Sequence, residues 1–189
     1  MDFSCNELSE VTESSEVSLT PNFDETNETE RNLDEPVVSN DAKDKNTVYL
    51  ITRNEDLEGD VHPITGISFE RMRIEYNGKI FEGVFPKFEA IFEVHIPEEL
   101  YEETDYKQFK VCNEQLLKAI ESNPELKAKF SEEQLEQIRD GVYDGSAPDG
   151  YVWHHSPEPG VIQLVDYDTH AKTGHTGGRA IWGGGSECR

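Results

Sequence analysis

The sequence predicts an α+β domain, because three patterns indicate strands, then helices, then strands again. Short β-type apolar runs lie on either side of Asn77-Gly78, a pair that suits the type I′ turn of a hairpin. Apolar side chains recur at helical spacing after Thr104. Residues 150–182 then follow the order strand, turn, strand, helix. A small antiparallel β-sheet and two helices should therefore precede a C-terminal hairpin with its own helix.

The first 45 residues differ in composition from the rest of the chain. They hold 13 Asp and Glu against 3 Lys and Arg, and no apolar period persists long enough to define an element. We therefore expect residues 1–45 to be a disordered acidic tail and residues 46–189 to form the folded domain. The chain shows neither a secretory signal nor an apolar run of the roughly 18 residues that a membrane span needs. We expect it to stay in the cytoplasm when it is made alone, with no membrane partner.

The first strands are expected between Thr47 and Pro97. Folding should begin near Thr47, where a short apolar run of β character reaches Ile51. The hairpin around Asn77-Gly78 should span Gly66 to Phe85. Phe88 to Ile96 alternates in part between apolar and polar residues, which is typical of a half-buried strand.

Two helices should follow these strands. The first extends from Thr104 to Asn123-Pro124, where the helical period ends. Ser131 and Gln134 have the Ser-x-x-Gln spacing of a capping box, which predicts the start of a second helix. We expect this short helix to stop before Gly141.

The C-terminal segment predicts two more strands and a helix. Tyr151 to His155 and Val161 to Val165 should be strands, joined by a turn rich in Pro and Gly. Asp166 or Asp168 can serve as the N-cap of a short helix that carries His170 and ends at Gly174.

Four of the six histidines lie between positions 154 and 175. Imidazole is a usual ligand of divalent metals, and its ordinary pKa suits proton abstraction near neutral pH. The hairpin and helix could bring His154 and His170 to one metal, with His175 as a third ligand and His155 as a base. Neighbouring strand residues point to opposite faces, so the strand must twist or end at His155, and Ser156-Pro157 favours an end there. This pattern predicts a metal-dependent hydrolase.

The same segment resembles a known nuclease family. Trp153-His154-His155, then Gln163-Leu164-Val165, then His170 and His175-Thr176-Gly177-Gly178 resemble the WHH-type nucleases of the HNH/endonuclease VII superfamily, which occur largely as modules of bacterial polymorphic toxins. Residues 61–66, 83–86 and 148–151 resemble segments that accompany this nuclease type. The resemblance implies a ββα-metal (His-Me finger) fold for residues 150–182.

The resemblance also implies a role for each matching position. His154 and His170 would be metal ligands and His155 the general base. Gln163 stands where many relatives have the Asn of the HNH name, so its amide would orient the base or the hairpin. His175 would be a further metal ligand, although it follows His170 by five positions where colicin-type nucleases have four, and it could instead touch the scissile phosphate. The implied cofactor is one divalent ion, Mg²⁺, Mn²⁺, Ni²⁺ or Zn²⁺.

The expected substrate is nucleic acid, with DNA favoured. Lys172 and Arg179 are predicted to contact phosphate, with solvated surface charges as the alternative. A net charge of −23 opposes nucleic-acid binding, but the charge is −10 in residues 1–45, −12 in residues 46–149 and only −1 in residues 150–189. The acidic charge is therefore concentrated outside the histidine segment.

Two functional hypotheses follow. The first is a DNase toxin effector, secreted or delivered into a target cell without a signal peptide and matched by a cognate immunity protein. The alternative is an acidic binding protein without catalysis, either immunity-like or a nucleic-acid mimic, because a strongly negative field can steer association with a basic surface. Such a protein has no need of clustered histidines.

Overall fold

The computed structural model describes residues 37–39 and 46–185, which form a mixed α+β fold with two small sheets. The first sheet has the order β1-β2-β4-β3 and the second the order β5-β7-β6. The strands are Val37–Ser39 (β1), Thr47–Ile51 (β2), Phe69–Tyr76 (β3), Lys79–Pro86 (β4), Phe92–His95 (β5), Tyr151–His155 (β6) and Val161–Asp166 (β7). The helices of this part of the chain are Asp105–Ser122 (α1), Pro124–Lys127 (α2), Glu132–Asp144 (α3) and Tyr167–Thr173 (α4).

The predicted hairpin is confirmed as β3 and β4. Asn77 and Gly78 have φ values of 50° and 70°, the left-handed conformation that a type I′ turn requires at both positions. The strand near Thr47 is also confirmed. However, β2 pairs with β4 in parallel, so the first sheet is mixed and not wholly antiparallel as predicted. Apolar alternation indicates that a segment is a strand, but it does not predict which strand it pairs with or in which direction.

β1 lies inside the segment that was predicted to be a tail. It pairs with β2 in an antiparallel register, from Val37 opposite Ile51 to Ser39 opposite Tyr49. The remainder of the predicted tail, residues 1–36 and 40–45, lies outside the described residues.

The helices confirm the predicted starts but not every end. Ser131 Oγ accepts from the backbone N–H of Gln134 at 3.1 Å, and the N–H of Ser131 donates to Oε1 of Gln134 at 2.9 Å, which completes the capping box. α3 was predicted to stop before Gly141, and this prediction is wrong. Gly145, with φ 78°, ends the helix, whereas a Cβ at Gly141 would lie 2.4 Å from the carbonyl oxygen of Ser146. Gly141 therefore permits close packing and does not terminate the helix.

The second sheet has helices on both of its faces. Trp153, Ile162 and Leu164 join the apolar core to which α1 and α3 contribute Cys112, Leu116, Leu135 and Ile138. Because side chains alternate along a strand, His154 faces the other side, where it meets α4. The predicted order of strand, turn, strand and helix is confirmed by β6, β7 and α4. Asp166 caps α4 by accepting from the N–H of Thr169 at 2.8 Å.

β5 is shorter than predicted. It spans Phe92–His95 along β7, so Phe88 lies outside the strand and its side chain is placed by the loop before it. Among the described helices, none combines the length and apolar character that a membrane crossing demands.

Candidate metal centre

Three histidine side chains converge on the α4 face of the second sheet. His154 comes from β6, His170 from α4 and His175 from the loop after α4; we call them the histidine cluster. Nδ1 of His154 lies 3.3 Å from Nε2 of His170 and 3.1 Å from Nε2 of His175. One nitrogen from each ring lies within 4.8 Å of the others. The structure therefore brings together all three residues that the sequence proposed as metal ligands.

These distances suit a shared metal ion. Four nitrogens at the usual ~2.0–2.1 Å from a tetrahedral metal lie about 3.3 Å apart, which is the edge of the tetrahedron. Two separations in the cluster, 3.3 and 3.1 Å, are close to this length, and the remaining one, within 4.8 Å, would shorten when an ion binds. The donor set of three imidazoles also suits several first-row divalent ions. The residues present thus fit a divalent metal, and three protein ligands would leave room for further ligands.

Burial keeps the histidine cluster in the form that binds metal. Desolvation lowers the pKa of His154 well below its ordinary value, and the neighbouring His175 and His170 lower it further. Burial also lowers the pKa of His170, and burial together with His170 and Arg53 lowers the pKa of His175 to about 3. All three rings are therefore neutral near pH 7, so a metal would not have to displace protons from them.

One aromatic ring packs against the entire cluster. The centroid of Phe88 lies 4.9 Å from that of His154, 5.4 Å from that of His170 and 5.0 Å from that of His175. Phe88 is itself buried. It restricts the three rings to their present orientations and keeps water from this side of the cluster.

The loop that carries His175 is held by the end of β2. The side-chain amide of Asn54 donates to the carbonyls of Thr173 and Gly174 at 2.9 and 2.6 Å. The backbone N–H of Arg53 donates to the hydroxyl of Thr176 at 3.0 Å. Hydrogen bonds on both sides of His175 therefore fix the loop, so the first sheet contributes to the geometry of the cluster.

His155 lies on the opposite face of β6 and contacts α1. Its Nε2 lies 2.6 Å from Oε1 of Gln108 and 3.7 Å from a carboxylate oxygen of Asp105. The ring of Trp182 packs against it with centroids 5.2 Å apart. One cleft is nevertheless lined by residues of both groups, namely Asp105, His154, His155, His170, His175 and Arg179. β6 ends at His155, as the sequence suggested, and this end allows both faces of the strand to border one cleft.

The other predicted residues take different positions. Arg179 pairs with Asp105 beside His155 and lines the cleft. Lys172 pairs with Asp168 at 2.8 Å on the exposed side of α4. The amide of Gln163 donates to Glu93 at 2.9 Å, and Gln163 lies opposite His154 in the hairpin, on the face away from His155. Of these three, only Arg179 borders the cleft.

Sequence reasoning missed Gln108, Asp105, Phe88 and Arg53. Gln108 and Asp105 lie in a helix whose periodicity indicates packing only, and Phe88 was assigned to the apolar side of a strand. Arg53 follows β2, and its guanidinium packs on Gly174, where an added Cβ would lie 2.7 Å from Cζ. Within residues 37–39 and 46–185, its side chain makes no ion pair or hydrogen bond. No local motif identifies these four residues.

Gly178, three residues after His175, permits close packing of two backbone segments. A Cβ at Gly178 would lie 1.7 Å from the carbonyl oxygen of Ser156, and that oxygen also accepts from Nε1 of Trp182 at 2.8 Å. The chain after the cluster therefore packs directly on the turn that follows His155. This contact requires a residue without a side chain at position 178.

A comparison with known protein families gives a match for the central and C-terminal part of the chain. The model of the DNase/tRNase domain of colicin-like bacteriocins matches residues 77–177, which are more than half of the chain and include all four histidines of the cleft. No curated protein and no solved structure matches. A nuclease of this kind is a phosphodiester hydrolase, and its substrate is nucleic acid. The chain therefore belongs to the family of DNase/tRNase domains of colicin-like bacteriocins, and it is a nuclease module of the bacterial toxin class.

Proposed function

We propose that this protein is a metal-dependent DNA endonuclease of the WHH type within the HNH/endonuclease VII superfamily. In this proposal residues 46–189 form the nuclease domain and residues 150–182 form its ββα-metal hairpin. The proposal rests on the convergence of His154, His170 and His175, which offer one nitrogen each within 4.8 Å of one another, two of the separations being 3.3 and 3.1 Å. The family match supports the nuclease over the alternative of an acidic mimic without catalysis.

His154, His170 and His175 would hold one divalent ion, for which Mg²⁺, Mn²⁺, Ni²⁺ and Zn²⁺ are the candidates. When bound, such an ion supplies positive charge that stabilises the phosphate and the departing oxygen. The neutral state of the three rings near pH 7 supports this assignment. Phe88 supports it further, because a dry apolar wall strengthens electrostatic interactions inside a site.

His155 would act as the general base that takes a proton from the attacking water. It borders the same cleft as the histidine cluster but is turned away from it, so it can accept a proton while the other rings hold the metal. Gln163 would orient the hairpin and not the base, since its amide joins β7 to Glu93 of β5.

Arg53 and Arg179 are the proposed phosphate contacts. Arg53 lies close enough to the cluster to lower the pKa of His175, so an anion bound there would meet both the metal and a guanidinium. Arg179 lines the cleft while it pairs with Asp105. Lys172 would contact the nucleic acid farther from the reacting phosphate, because it lies on the exposed side of α4.

A plasmid-nicking assay tests the proposal. Purified protein should nick DNA only when one of the four divalent ions is present, and EDTA should stop the reaction. His155→Ala should abolish nicking but still bind metal, whereas His154→Ala should lose both. His95→Ala is the matched control, because His95 is exposed and lies outside the cleft. Nicking by His155→Ala at the wild-type rate would exclude His155 as the base.

The substrate and the biological setting need separate tests. Parallel reactions with plasmid DNA and with tRNA distinguish the two activities that the family name joins. We propose delivery of the toxin into a target cell, where a cognate immunity protein would block the nuclease. Co-expression of a small neighbouring gene product that binds the protein and suppresses nicking would support this setting, and nicking that no such partner suppresses would count against it.

A further inference from the structure

Gln108 is a fully buried polar side chain that contacts His155. It lies near the start of α1 with no exposed surface. Its side-chain nitrogen donates to the carbonyls of Leu100 and Tyr101 at 2.7 and 2.8 Å, and its Oε1 lies 2.6 Å from Nε2 of His155. The whole amide is therefore hydrogen-bonded, and the two backbone carbonyls set its orientation.

The reverse orientation of this amide is strongly disfavoured. It would place Oε1 against the carbonyl oxygens of Leu100 and Tyr101, which are acceptors only. Both carbonyls would then lose their donor, and two acceptors would face each other, which is unfavourable. Gln108 must therefore present its oxygen to His155.

This orientation decides which nitrogen of His155 carries the proton. Oε1 of Gln108 has no hydrogen, so Nε2 of His155 must be the donor in their 2.6 Å contact. A neutral imidazole has one N–H, so Nδ1 is then the nitrogen with the lone pair. A carboxylate oxygen of Asp105 lies 3.7 Å from the same nitrogen, and its negative charge favours a proton on Nε2.

We propose that Gln108 is a positioning residue that holds His155 with Nε2 protonated, so that Nδ1 is the atom that takes the proton from water. This inference rests on the proposed function, in which His155 is the general base. The family resemblance had suggested Gln163 for the orienting role, but its amide bonds to Glu93. An amide from α1, 47 positions before His155, performs the task that the local motif was expected to perform.

Gln108→Met and Asn113→Leu form a matched pair of variants. Asn113 is a second buried amide of α1, and it donates to the carbonyls of Gly141 and Ser146 at 3.1 and 2.9 Å. Each substitution removes a buried amide that bonds two carbonyls, so both should lower stability. Only Gln108→Met removes the acceptor on His155. It should lower kcat by about 10-fold to 100-fold, the usual cost of losing a group that orients a functional histidine, with metal affinity unchanged.

The tautomer can be measured directly in the full-length protein. Long-range ¹H–¹⁵N correlation spectra of ¹⁵N-histidine-labelled protein at mildly alkaline pH, assigned with His155→Ala, distinguish a ring protonated at Nε2 from one protonated at Nδ1. The wild type should show His155 protonated at Nε2, and Asn113→Leu should show the same. Gln108→Met should show a mixture of tautomers.

The outcomes separate this inference from the proposed function. A wild-type His155 protonated at Nδ1 would overturn the inference, even if Gln108→Met failed to fold. Wild-type kcat in a folded Gln108→Met variant would overturn it as well. If the wild type cleaved no nucleic acid with any of the four metals, the proposed function would fail. The NMR spectra would still decide whether Gln108 sets the tautomer.

Discussion

Metal binding by the histidine cluster should stabilise the fold, and His170→Ala should remove most of that effect. His170 is the best ligand to change, because it is only partly buried and lies on the short helix α4. The cluster rings are neutral near pH 7, so a divalent ion can bind without displacing protons from them. His95→Ala, which changes an exposed histidine of β5, is the control.

The magnitude follows from linkage. At a free metal concentration 100 times Kd, binding to the native state adds about 2.7 kcal/mol to the free energy of unfolding. For a domain of this size, each kcal/mol raises Tm by about 2–4 °C, so the wild type should gain roughly 5–11 °C. Loss of a residue that only hydrogen-bonds to a metal ligand can weaken metal binding ~100-fold. Loss of one of the three ligands themselves should weaken it by at least as much. The stabilisation of His170→Ala should then fall to about 0.4 kcal/mol or less.

Thermal unfolding followed by circular dichroism, with and without Zn²⁺ or Ni²⁺, measures these shifts. Wild type and His95→Ala should shift equally, and His170→Ala should barely shift. An equal shift in His170→Ala would mean that the ion binds elsewhere. No shift in the wild type with any divalent ion would refute the argument from nitrogen geometry.

Three further predictions concern the surroundings of the cluster. Arg53→Ala should lower kcat/KM on plasmid DNA by about 10-fold to 100-fold, because a hydrogen bond to a charged group contributes about 1.5–3 kcal/mol. Arg73→Ala on β3 should leave kcat/KM unchanged. Equal kcat/KM values for the two variants would exclude a role for Arg53. Gly178→Ala should lower the free energy of unfolding by about 1–3 kcal/mol in a urea titration, because its Cβ would overlap the carbonyl of Ser156. Wild-type stability of this variant would show that the turn can shift freely. The metal-free protein should lose stability as the pH falls from 6.5 towards 5, because His154, His170 and His175 bind protons in the unfolded chain but not in the buried cluster. In His170→Ala the free energy of unfolding should depend less steeply on pH. An identical pH dependence in the two proteins would contradict the lowered pKa of His170.

Local elements were predicted well from the sequence. The Asn77-Gly78 turn, the capping box at Ser131 and the helical period of α1 depend on residues within a few positions of one another, so their physics is visible in the chain itself. The hairpin of β6 and β7 followed by α4 was predictable for the same reason. It carries His154 and His170, and these were the predicted ligands that the structure brings together with His175.

The predictions were wrong where a residue type is found in two different structural roles. Gly141 was expected to end α3, but it allows close contact with Ser146 and the helix continues to Asp144. Phe88 was expected in a strand, but it packs on the histidine cluster. A glycine or an aromatic residue has the same local signature in both cases, and only its neighbours in space distinguish them.

The local elements and the set of imidazoles could be predicted from the chain, because short-range periodicity and turn chemistry need no distant partner. The surroundings of His155 and His175 depend on packing between distant elements and could not be predicted in this way. Gln108 and Asp105 reach His155 from α1, and Arg53 reaches His175 from the end of β2. The parallel pairing of β2 with β4 depends on such packing as well. These contacts join residues tens of positions apart, and their partners are selected by the packing of whole helices and sheets.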